Sequence, residues 1–193
     1  MSLVLASASP RRRDLLESLG LSFQVCSAAG DGPVVSNEPG PRVLGHACFK
    51  ARQIAAAQPK SWVLAADTLV YGGGDFFPKP TDARHAEAML ERLVALQQHE
   101  VWTGSCLISP DGEEFPRMDC AQVAFSTIGA EDLANYLQGS EWADKAGAYA
   151  IQGWVGQYAT LLQGEFGTVV GLSETAVLAL FTKAGLPSDA FRR

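Results

Sequence analysis

Long apolar runs and closely spaced metal-ligand residues are both absent from the sequence. No apolar stretch in the 193 residues reaches the ~18–20 residues that a membrane-spanning helix requires. The four cysteines include no C-x-x-C pair, and the three histidines include no H-x-x-x-H pair. These spacings exclude the usual zinc and thioredoxin-like motifs. We therefore expect buried, reduced thiols, histidines that are structural or lie at the surface, and no membrane partner.

Basic residues are also few. The 15 lysines and arginines are outnumbered by 21 acidic residues, which gives a net charge of −6. Binding of duplex nucleic acid depends on neutralising phosphates, so this balance disfavours nucleic acid as a partner. A few clustered cations still suffice to bind a small anion locally. The start Met1-Ser2-Leu3-Val4-Leu5 lacks the basic segment of a secretory signal, which favours a cytoplasmic location.

The sequence does contain an alternation of apolar strands and amphipathic helices. It is 47% hydrophobic with 19 glycines and 10 prolines, as is typical of a globular, loop-rich protein. Strands alternating with helices, plus one inserted hairpin, predict an α/β fold with a mixed sheet. A boundary between two lobes near Pro80 or Gly129 is one arrangement, and a continuous core is the other. The predicted strands are 3–6, 23–26, 62–66 (ending at Asp67-Thr68), two within 99–125, 158–162 and 168–172. The predicted helices are 10–19, 41–57, 82–96, 130–137 and 173–185.

The first candidate site is the turn S-A-S-P-R-R at 7–12, which joins the first strand to the first helix. Ser9 at the N-cap and Pro10 at the first helical position mark the helix start. The first turn of a helix presents unpaired backbone N–H groups, which favour an anion. Arg11 and Arg12 oppose the helix dipole there, which makes sense if an anionic ligand binds. The alternative is two solvated arginines.

The second candidate site is Asp67, which the pattern places at the carboxyl end of a buried strand. Open α/β sheets put ligands and catalytic groups at such ends. A carboxylate in that position can bind a divalent metal, orient a water or accept its proton. The alternative is a carboxylate that only caps a turn.

The remaining candidate sites are two lysines and one polar segment. Lys79 lies between two prolines that stiffen its backbone. Lys50 lies on a helix whose other face is apolar, where a snorkelling surface lysine is the alternative. The segment D-K-A-G-A-Y-A-I-Q-G at 144–153 suits a close backbone approach to a ligand. Its Gln152 offers both a donor and an acceptor.

Together these segments resemble the Maf family of nucleoside triphosphate pyrophosphatases. They follow the family order along nearly the whole chain, and their combination is highly specific. The matching residues are S-x-S-P-R-R at 7–12, K-A at 50–51, A-D-T at 66–68, K-P at 79–80, T-G at 103–104, D-K-A-G-A-Y-x-I-Q-G at 144–153 and V-V-G-L at 169–172.

The resemblance implies a cytoplasmic, metal-dependent enzyme that cleaves a nucleoside triphosphate between its α and β phosphates. The I-Q-G form looks like the branch that acts on dTTP and UTP, rather than the branch that acts on 7-methyl-GTP. The implied fold is a mixed, strongly twisted sheet flanked by helices, with two lobes about a central cleft, as in inosine triphosphatases. Residues 1–193 would form one such domain. A homodimer is implied by the resemblance alone.

The resemblance also implies roles for individual residues. Asp67 is the expected catalytic residue, which orients or deprotonates the attacking water, and the expected ligand of a divalent metal, Mg²⁺ or Mn²⁺. The expected substrate-binding residues are Ser7, Ser9, Arg11, Arg12, Lys50, Thr68, Lys79 and Gln152. Of these, Arg12, Thr68 and Gln152 stand at specificity positions. Four of the residues are cations, which suits the close to four negative charges of a triphosphate.

One departure from the family bears on the site. Members carry an acidic pair D-E in the loop after the second strand, and here the corresponding residues are Asp31-Gly32. Asp31 and Glu38 are the candidates to replace the missing glutamate. The loss leaves open a catalytically weakened nucleotide-binding regulator of cell division. A second alternative is the same chemistry on a purine triphosphate such as 7-methyl-GTP.

Overall fold

The computed structural model describes residues 1–192 and has a mixed α/β architecture. Its strands are β1 (Leu3–Leu5), β2 (Gln24–Val25), β3 (Trp62–Gly72), β4 (Asp75–Phe77), β5 (Gln98–Ile108), β6 (Glu114–Phe125) and β7 (Ala159–Gln163). Its helices are α1 (Pro10–Ser18), α2 (Pro39–Ala57), α3 (Ala83–Leu96), α4 (Ala130–Gln138), α5 (Phe166–Val170) and α6 (Glu174–Lys183), with two short 3₁₀ helices at Ala146–Ala148 and Trp154–Tyr158.

The strands form one seven-stranded mixed sheet. The order is β2-β1-β3-β5-β6-β7, and β4 pairs with β3. β1 is parallel to both β2 and β3, whereas the β3–β4 and β6–β7 pairs are antiparallel. The predicted α/β fold with a mixed sheet is therefore confirmed.

Contacts along the chain divide it into two compact units. The first unit is formed by Met1–Asp67, Thr103–Asp119 and the chain from Gly171 onward, and the second by Thr68–Trp102 and Cys120–Val170. Pro80 and Gly129, the predicted positions of a boundary, both lie inside the second unit. Each unit has its own apolar core.

The core of the first unit forms on both faces of β1 and β3. Leu3 and Leu5 belong to one buried cluster, which also includes residues of α6. Val4 and Val63 belong to another, which also includes residues of α2. Successive side chains of a strand point to opposite faces, so a strand covered on both faces requires a continuous apolar run. This is why both strands read as uninterrupted hydrophobic segments.

The backbones of α2 and β5 approach closely at Gly104. A Cβ atom at this position would lie 2.6 Å from the carbonyl oxygen of Val43 and 2.8 Å from the Cα of Leu44. Backbone atoms cannot move aside as a flexible side chain can, so only glycine fits. The contact holds α2 at a fixed distance from β5.

The core of the second unit contains a polar group among aromatic rings. His99 is 3% exposed, and its Nε2 lies 2.7 Å from the hydroxyl of Tyr149. The ring of Phe125 contacts both of these rings edge-on. Among the described residues, His99 Nδ1 has no hydrogen-bond partner. Burial lowers the pKa of His99 to about 4, so the ring is neutral near pH 7.

We expect His99 to make the protein less stable in mild acid. In the unfolded chain histidine titrates near 6.5, so between that pH and about 4 the unfolded state binds the extra proton. The stabilisation is complete above pH 6.5 and is lost toward pH 4, by roughly 3 kcal/mol. Urea unfolding across this range should therefore show a steeper fall for the wild type than for His99→Phe.

The matched control for this slope is His85→Gln. His85 lies at the start of α3, where its backbone N–H donates to the capping carboxylate of Asp82. Its substitution should leave the wild-type pH dependence in place. Equal slopes for wild type and His99→Phe would show that His99 does not cause the acid loss.

The structure corrects two predicted strands. β3 does not end at Asp67 but continues through it to Gly72, because Thr68, Val70 and Tyr71 favour the extended backbone. The predicted strand 168–172 is instead the short helix α5, in which Thr168 is buried. The other predicted elements are present with ends shifted by a few residues.

The cysteines are reduced, as the sequence predicts. All four cysteines are free thiols; Cys48 and Cys106 are buried, and Cys26 and Cys120 are partly buried. Within residues 1–192, no helix has both the length and the apolar character needed to cross a bilayer.

Candidate active site

Asp67 is the centre of a buried polar cluster in the first unit. It lies within β3, and its side chain is 12% exposed. The ammonium of Lys50 donates to Asp67 Oδ1 at 2.7 Å. The Nδ1 of His46 lies 3.0 Å from Asp67 Oδ2, and the carboxylate accepts this hydrogen bond. Both carboxylate oxygens are therefore held in place.

The cluster keeps Asp67 ionised. Burial alone would raise the pKa of this carboxyl group. The hydrogen bond from His46 and the positive charges of Lys50 and Arg12 outweigh burial, so the pKa of Asp67 lies below its ordinary value. A buried carboxylate that is ionised at neutral pH can orient a water molecule through a strong hydrogen bond.

Helix α2 supplies both partners of Asp67. His46 and Lys50 are four residues apart, so they lie on the same face of the helix. Ala47 and Ala51, which lie on a face turned about 100° from them, are fully buried in the apolar cluster. The amphipathic pattern that buries the helix thus also aims two polar side chains at β3.

Asp31 also joins this cluster. Its Oδ1 lies 2.6 Å from the Nζ of Lys50, although its side chain is 63% exposed. Glu38, the other candidate for the missing glutamate, lies instead at the N-cap of α2. Gly32 follows Asp31 in a loop. The carboxylate that the loop brings to Lys50 is therefore that of Asp31.

The donor set around Lys50 fits a divalent cation such as Mg²⁺ or Mn²⁺. The carboxylates of Asp67 and Asp31 both contact the same ammonium, so their oxygens already converge on one positive charge. Carboxylate oxygens are the donors that these hard cations prefer. Each carboxylate has about four acceptor positions, so the present hydrogen bonds leave room for a further contact.

The start of α1 lies in the same unit. Arg12 is 9% exposed; its Nε donates to the carbonyl of Gly171 and its Nη1 to the hydroxyl of Ser7, both at 2.9 Å. Burial lowers the pKa of Arg12 to about 10, so the guanidinium remains a cation near pH 7. Arg11 is only partly buried. The alternative of two solvated arginines is therefore wrong for Arg12.

The N-terminus of α1 is not capped by a side chain. Ser9 is the N-cap residue and Pro10 follows at the first helical position, as predicted, but the hydroxyl of Ser9 makes no capping hydrogen bond. The backbone N–H of Ser9 instead donates to the hydroxyl of Ser7 at 3.2 Å.

Lys79 lies in the second unit, in the loop after β4. Its side chain is exposed. The preceding residue, Pro78, accepts a hydrogen bond from the backbone N–H of Gly147 at 3.3 Å. This bond ties the loop to the segment 144–153, in which Gly147 adopts a positive φ of 71°.

Gln152 and Thr68 also lie in the second unit. Gln152 is exposed in a turn that is closed by the backbone, where Gly153 N donates to Ala150 O at 3.0 Å. The backbone bond closes this turn without help from the amide of Gln152. Thr68 is half-buried in β3.

His46 is the residue of this cluster that the sequence analysis missed. The sequence predicts only a structural or surface histidine here, whereas the structure places its ring against Asp67. Its side chain is 7% exposed, and among the described residues its Nε2 has no hydrogen-bond partner. The available signal was its i, i+4 spacing from Lys50 on a helix with one apolar face.

Comparisons with known proteins point in one direction. The sequence profile described as "Maf-like protein" matches residues 2–184. A dTTP/UTP pyrophosphatase of Rhodospirillum rubrum is 40% identical over 185 residues, which cover 95% of this chain and 88% of that protein. A dTTP/UTP pyrophosphatase of Anaeromyxobacter dehalogenans strain 2CP-C is 43% identical over 188 residues, which cover 96% of this chain and 95% of that protein.

Solved structures resemble a smaller part of the chain. The Ham1 protein of Staphylococcus aureus has a TM-score of 0.48 and 14% identity, and the match covers 65% of this chain and 72% of that one. A nucleoside-triphosphatase, or dITP/XTP pyrophosphatase, of Mycobacterium abscessus has a TM-score of 0.44 and 18% identity, with 67% and 75% covered.

Proposed function

This chain belongs to the Maf family, and from that premise we propose that it is a nucleoside triphosphate pyrophosphatase acting on dTTP and UTP. The products are the nucleoside monophosphate and pyrophosphate. The observation that carries the proposal is the buried carboxylate of Asp67, which accepts hydrogen bonds from Lys50 and His46. These two residues and the charge of Arg12 lower its pKa. A proton acceptor beside several cations suits hydrolysis of a phosphoanhydride.

In the proposed reaction, Asp67 accepts a proton from the attacking water. The water oxygen forms a bond to the α-phosphorus, the bond from that phosphorus to the α–β bridging oxygen breaks, and pyrophosphate leaves. His46 is a positioning residue, because its hydrogen bond to Oδ2 fixes the plane of the carboxylate. Catalysis of this kind depends on positioning and charge stabilisation.

We include a divalent cation, Mg²⁺ or Mn²⁺, in the proposal, with Asp67 and Asp31 as the residues that would hold it. When bound, such a cation neutralises phosphate charge and polarises the phosphoryl group. Asp31 would then replace the family glutamate, whose position is occupied by Gly32 in this chain. Its contact with Lys50 at 2.6 Å supports this assignment.

Phosphate binding is proposed for the start of α1 and for the cations. The N-terminal turn of α1 suits an anion through the helix dipole, and Ser7 and Ser9 add hydroxyl donors to phosphate oxygens. Arg11 and Arg12 add guanidinium donors. Lys50 acts as a point charge. The phosphate-binding role of Lys79 and the specificity roles of Arg12, Thr68 and Gln152 are carried over from the family resemblance.

A panel of triphosphates tests the proposed function directly. We expect pyrophosphate release from dTTP and UTP with Mg²⁺ or Mn²⁺, and slower release from CTP, GTP, ATP and 7-methyl-GTP. A preference for 7-methyl-GTP would favour the purine alternative. Binding of dTTP without turnover on any triphosphate would favour the weakened regulator, and both results would contradict the proposal.

We expect Arg11→Ala and Lys79→Ala to weaken use of every triphosphate in similar proportion. A charge-assisted hydrogen bond contributes ~1.5–3 kcal/mol, so kcat/KM should fall roughly tenfold or more. The order of base preference should be unchanged, because phosphate contacts do not read the base. A variant that lost dTTP activity but gained purine activity would contradict the phosphate assignment.

We expect Gln152→Ala to lower the preference for UTP over CTP. Uracil presents an N3–H donor beside a carbonyl acceptor, which one amide can pair with, whereas cytosine presents an acceptor and an amino group. A second fixed group, such as Arg12 or Thr68, must keep the amide from flipping. The UTP-over-CTP ratio of kcat/KM should fall by a factor that corresponds to ~1–3 kcal/mol, the cost of leaving a polar group of the bound base unpaired.

Gln157→Ala is the matched control for this ratio. Gln157 is an exposed amide in the same segment, and its Nε2 donates to Trp154 O at 3.1 Å. Its removal should leave the ratio of UTP to CTP turnover as in the wild type. If Gln152 only supports its turn, Gln152→Ala will lower the melting temperature and leave the ratio unchanged.

A cytoplasmic location and a homodimer complete the proposal, and both rest on the family resemblance. Size-exclusion chromatography with light scattering measures the oligomeric state. A monomer at micromolar concentration would contradict the dimer without affecting the proposed activity.

A further inference from the structure

Three possible metal ligands converge in the first unit from distant points of the sequence. They are Cys48 on α2, Cys106 on β5 and Glu114 at the start of β6, and their ligand atoms all lie within 4.8 Å of one another. Around a tetrahedral zinc ion, donor atoms lie roughly 3.5–3.8 Å apart. Side-chain rotations that move the donor atoms by about 1 Å would therefore bring all three to one cation.

The donor set selects a particular class of cation. Two sulfur atoms and one carboxylate oxygen suit a thiophilic divalent ion such as Zn²⁺, and they do not suit Mg²⁺ or Mn²⁺. Cys106 is 0% exposed and Cys48 is 8% exposed, whereas the side chain of Glu114 is 31% exposed. The sulfurs are thus shielded from water, and the carboxylate marks the side from which an ion can enter.

Arg52 completes the charge balance of this group. Its Nε and Nη2 donate to the two carboxylate oxygens of Glu114 at 2.6 Å and 2.7 Å. A carboxylate has about four acceptor positions, so Glu114 can hold Arg52 and a cation together. Two thiolates and one carboxylate carry three negative charges, a divalent cation offsets two, and the guanidinium offsets the third. The Arg52–Glu114 pair also resembles the outer contacts that orient metal ligands in proteins.

The backbone around the group is rigid. The turn between β5 and β6 is closed by Gly112 N donating to Ser109 O at 3.0 Å and by Ser109 N donating to Glu113 O at 2.9 Å. These bonds fix Glu114 relative to β5, which carries Cys106. The close contact at Gly104 fixes α2, which carries Cys48, against the same strand.

We propose that Cys48, Cys106 and Glu114 form a binding site for one thiophilic divalent cation of the zinc class, with the fourth position left to water. The site is distinct from the Asp67 cluster, because residues 48 and 50 point to opposite sides of α2, about 200° apart around its axis. A bound cation would join α2 to the β5–β6 hairpin and so stabilise the first unit.

Cobalt substitution tests the site with a readout that does not depend on catalysis. The full-length protein, kept reduced with a phosphine, is titrated with Co²⁺. We expect a thiolate-to-cobalt charge-transfer band that saturates at one equivalent and is displaced by Zn²⁺. Zn²⁺ should also raise the melting temperature by an amount that grows with its free concentration.

Substitutions assign the band to the proposed ligands. Cys48→Ser and Cys106→Ser should each remove it, and Glu114→Gln, at a partly exposed position, should weaken Co²⁺ affinity roughly tenfold or more. Cys26→Ser and Cys120→Ser are matched controls that should keep it, and so should Asp67→Asn. Absence of the band in the wild type overturns the proposal. So does a band that persists in either ligand-cysteine variant, or a Glu114→Gln protein with wild-type Co²⁺ affinity.

Discussion

Replacement of Asp67 by asparagine should lower turnover of dTTP by ~10²–10⁴ while the protein remains folded, since this is the usual contribution of a positioned acid or base. The substitution keeps the size of the side chain but removes its charge and basicity. Both oxygens of Asp67 accept from donors, Lys50 at 2.7 Å and His46 at 3.0 Å. Asparagine has one acceptor oxygen, which can serve Lys50. Its amide group can then donate to His46, whose ring has a tautomer with an acceptor at Nδ1.

The measurement is pyrophosphate release at saturating dTTP, together with the KM and a thermal melt. Asp14→Asn is the control for loss of one carboxylate, because Asp14 is 66% exposed on α1. It should have wild-type turnover. Wild-type turnover in a folded Asp67→Asn protein would remove Asp67 from the mechanism.

Replacement of Arg12 by alanine should cause the largest loss of stability among the site residues. The guanidinium is 9% exposed and donates to Gly171 O and Ser7 Oγ, both at 2.9 Å. Its removal leaves buried acceptors without this donor and takes away one of the charges that offset Asp67. Breaking such a buried charged network costs about 3–5 kcal/mol. In a chain of this length the melting temperature should fall by roughly 6–20 °C.

Two variants separate the burial of Arg12 from its charge. Arg11→Ala removes a cation one residue earlier that is only partly buried, and it should change stability by less than about 1 kcal/mol. Arg12→Lys keeps the charge but not the planar fork, so its melting temperature should lie between those of wild type and Arg12→Ala. A wild-type melting temperature for Arg12→Ala would show that its hydrogen bonds do not contribute to stability.

Much of the fold could be predicted because its elements carry strong local signals. The helical apolar spacing over 82–96 predicts α3, and Ser173 as an N-cap residue predicts α6. In the structure Asp82 and Ser173 are the N-cap residues, and both side chains accept backbone hydrogen bonds. The turn at Asp111-Gly112 predicts the β5–β6 hairpin, with Gly112 at a φ of 86°. Each of these signals lies within a few residues of the element that it predicts.

The wrong predictions arose where local signals were ambiguous. The run 168–172 is short and apolar, and periodicity does not distinguish a buried strand from a buried helix at that length. The structure resolves it as a helical turn in which Thr168 N donates to Glu165 O at 3.0 Å. At Asp67 the predicted strand ends with the apolar run 62–66, although the residues that follow it also favour the extended backbone.

Contacts between distant residues explain what the sequence could not show of the site. Asp67, Lys50 and Arg12 were predicted through the family motifs, but their arrangement depends on how α1, α2 and β3 pack. His46 reaches Asp67 only because α2 presents residues 46 and 50 on one face. The group Cys48, Cys106 and Glu114 carries no signal in its spacing, because each residue comes from a different element. Such clusters form when distant elements pack together, so the spacing of residues along the sequence does not predict them.

The discontinuous first unit has a consequence for how the enzyme matures on the ribosome. Asp67, Lys50 and Arg12 are synthesised early, within Met1–Asp67. The carbonyl of Gly171 that accepts from Arg12 emerges only after the whole of the second unit has been translated. The nascent chain therefore carries its candidate catalytic residues long before their packing can be completed. Activity should appear after translation has passed Gly171, as a late event in biogenesis.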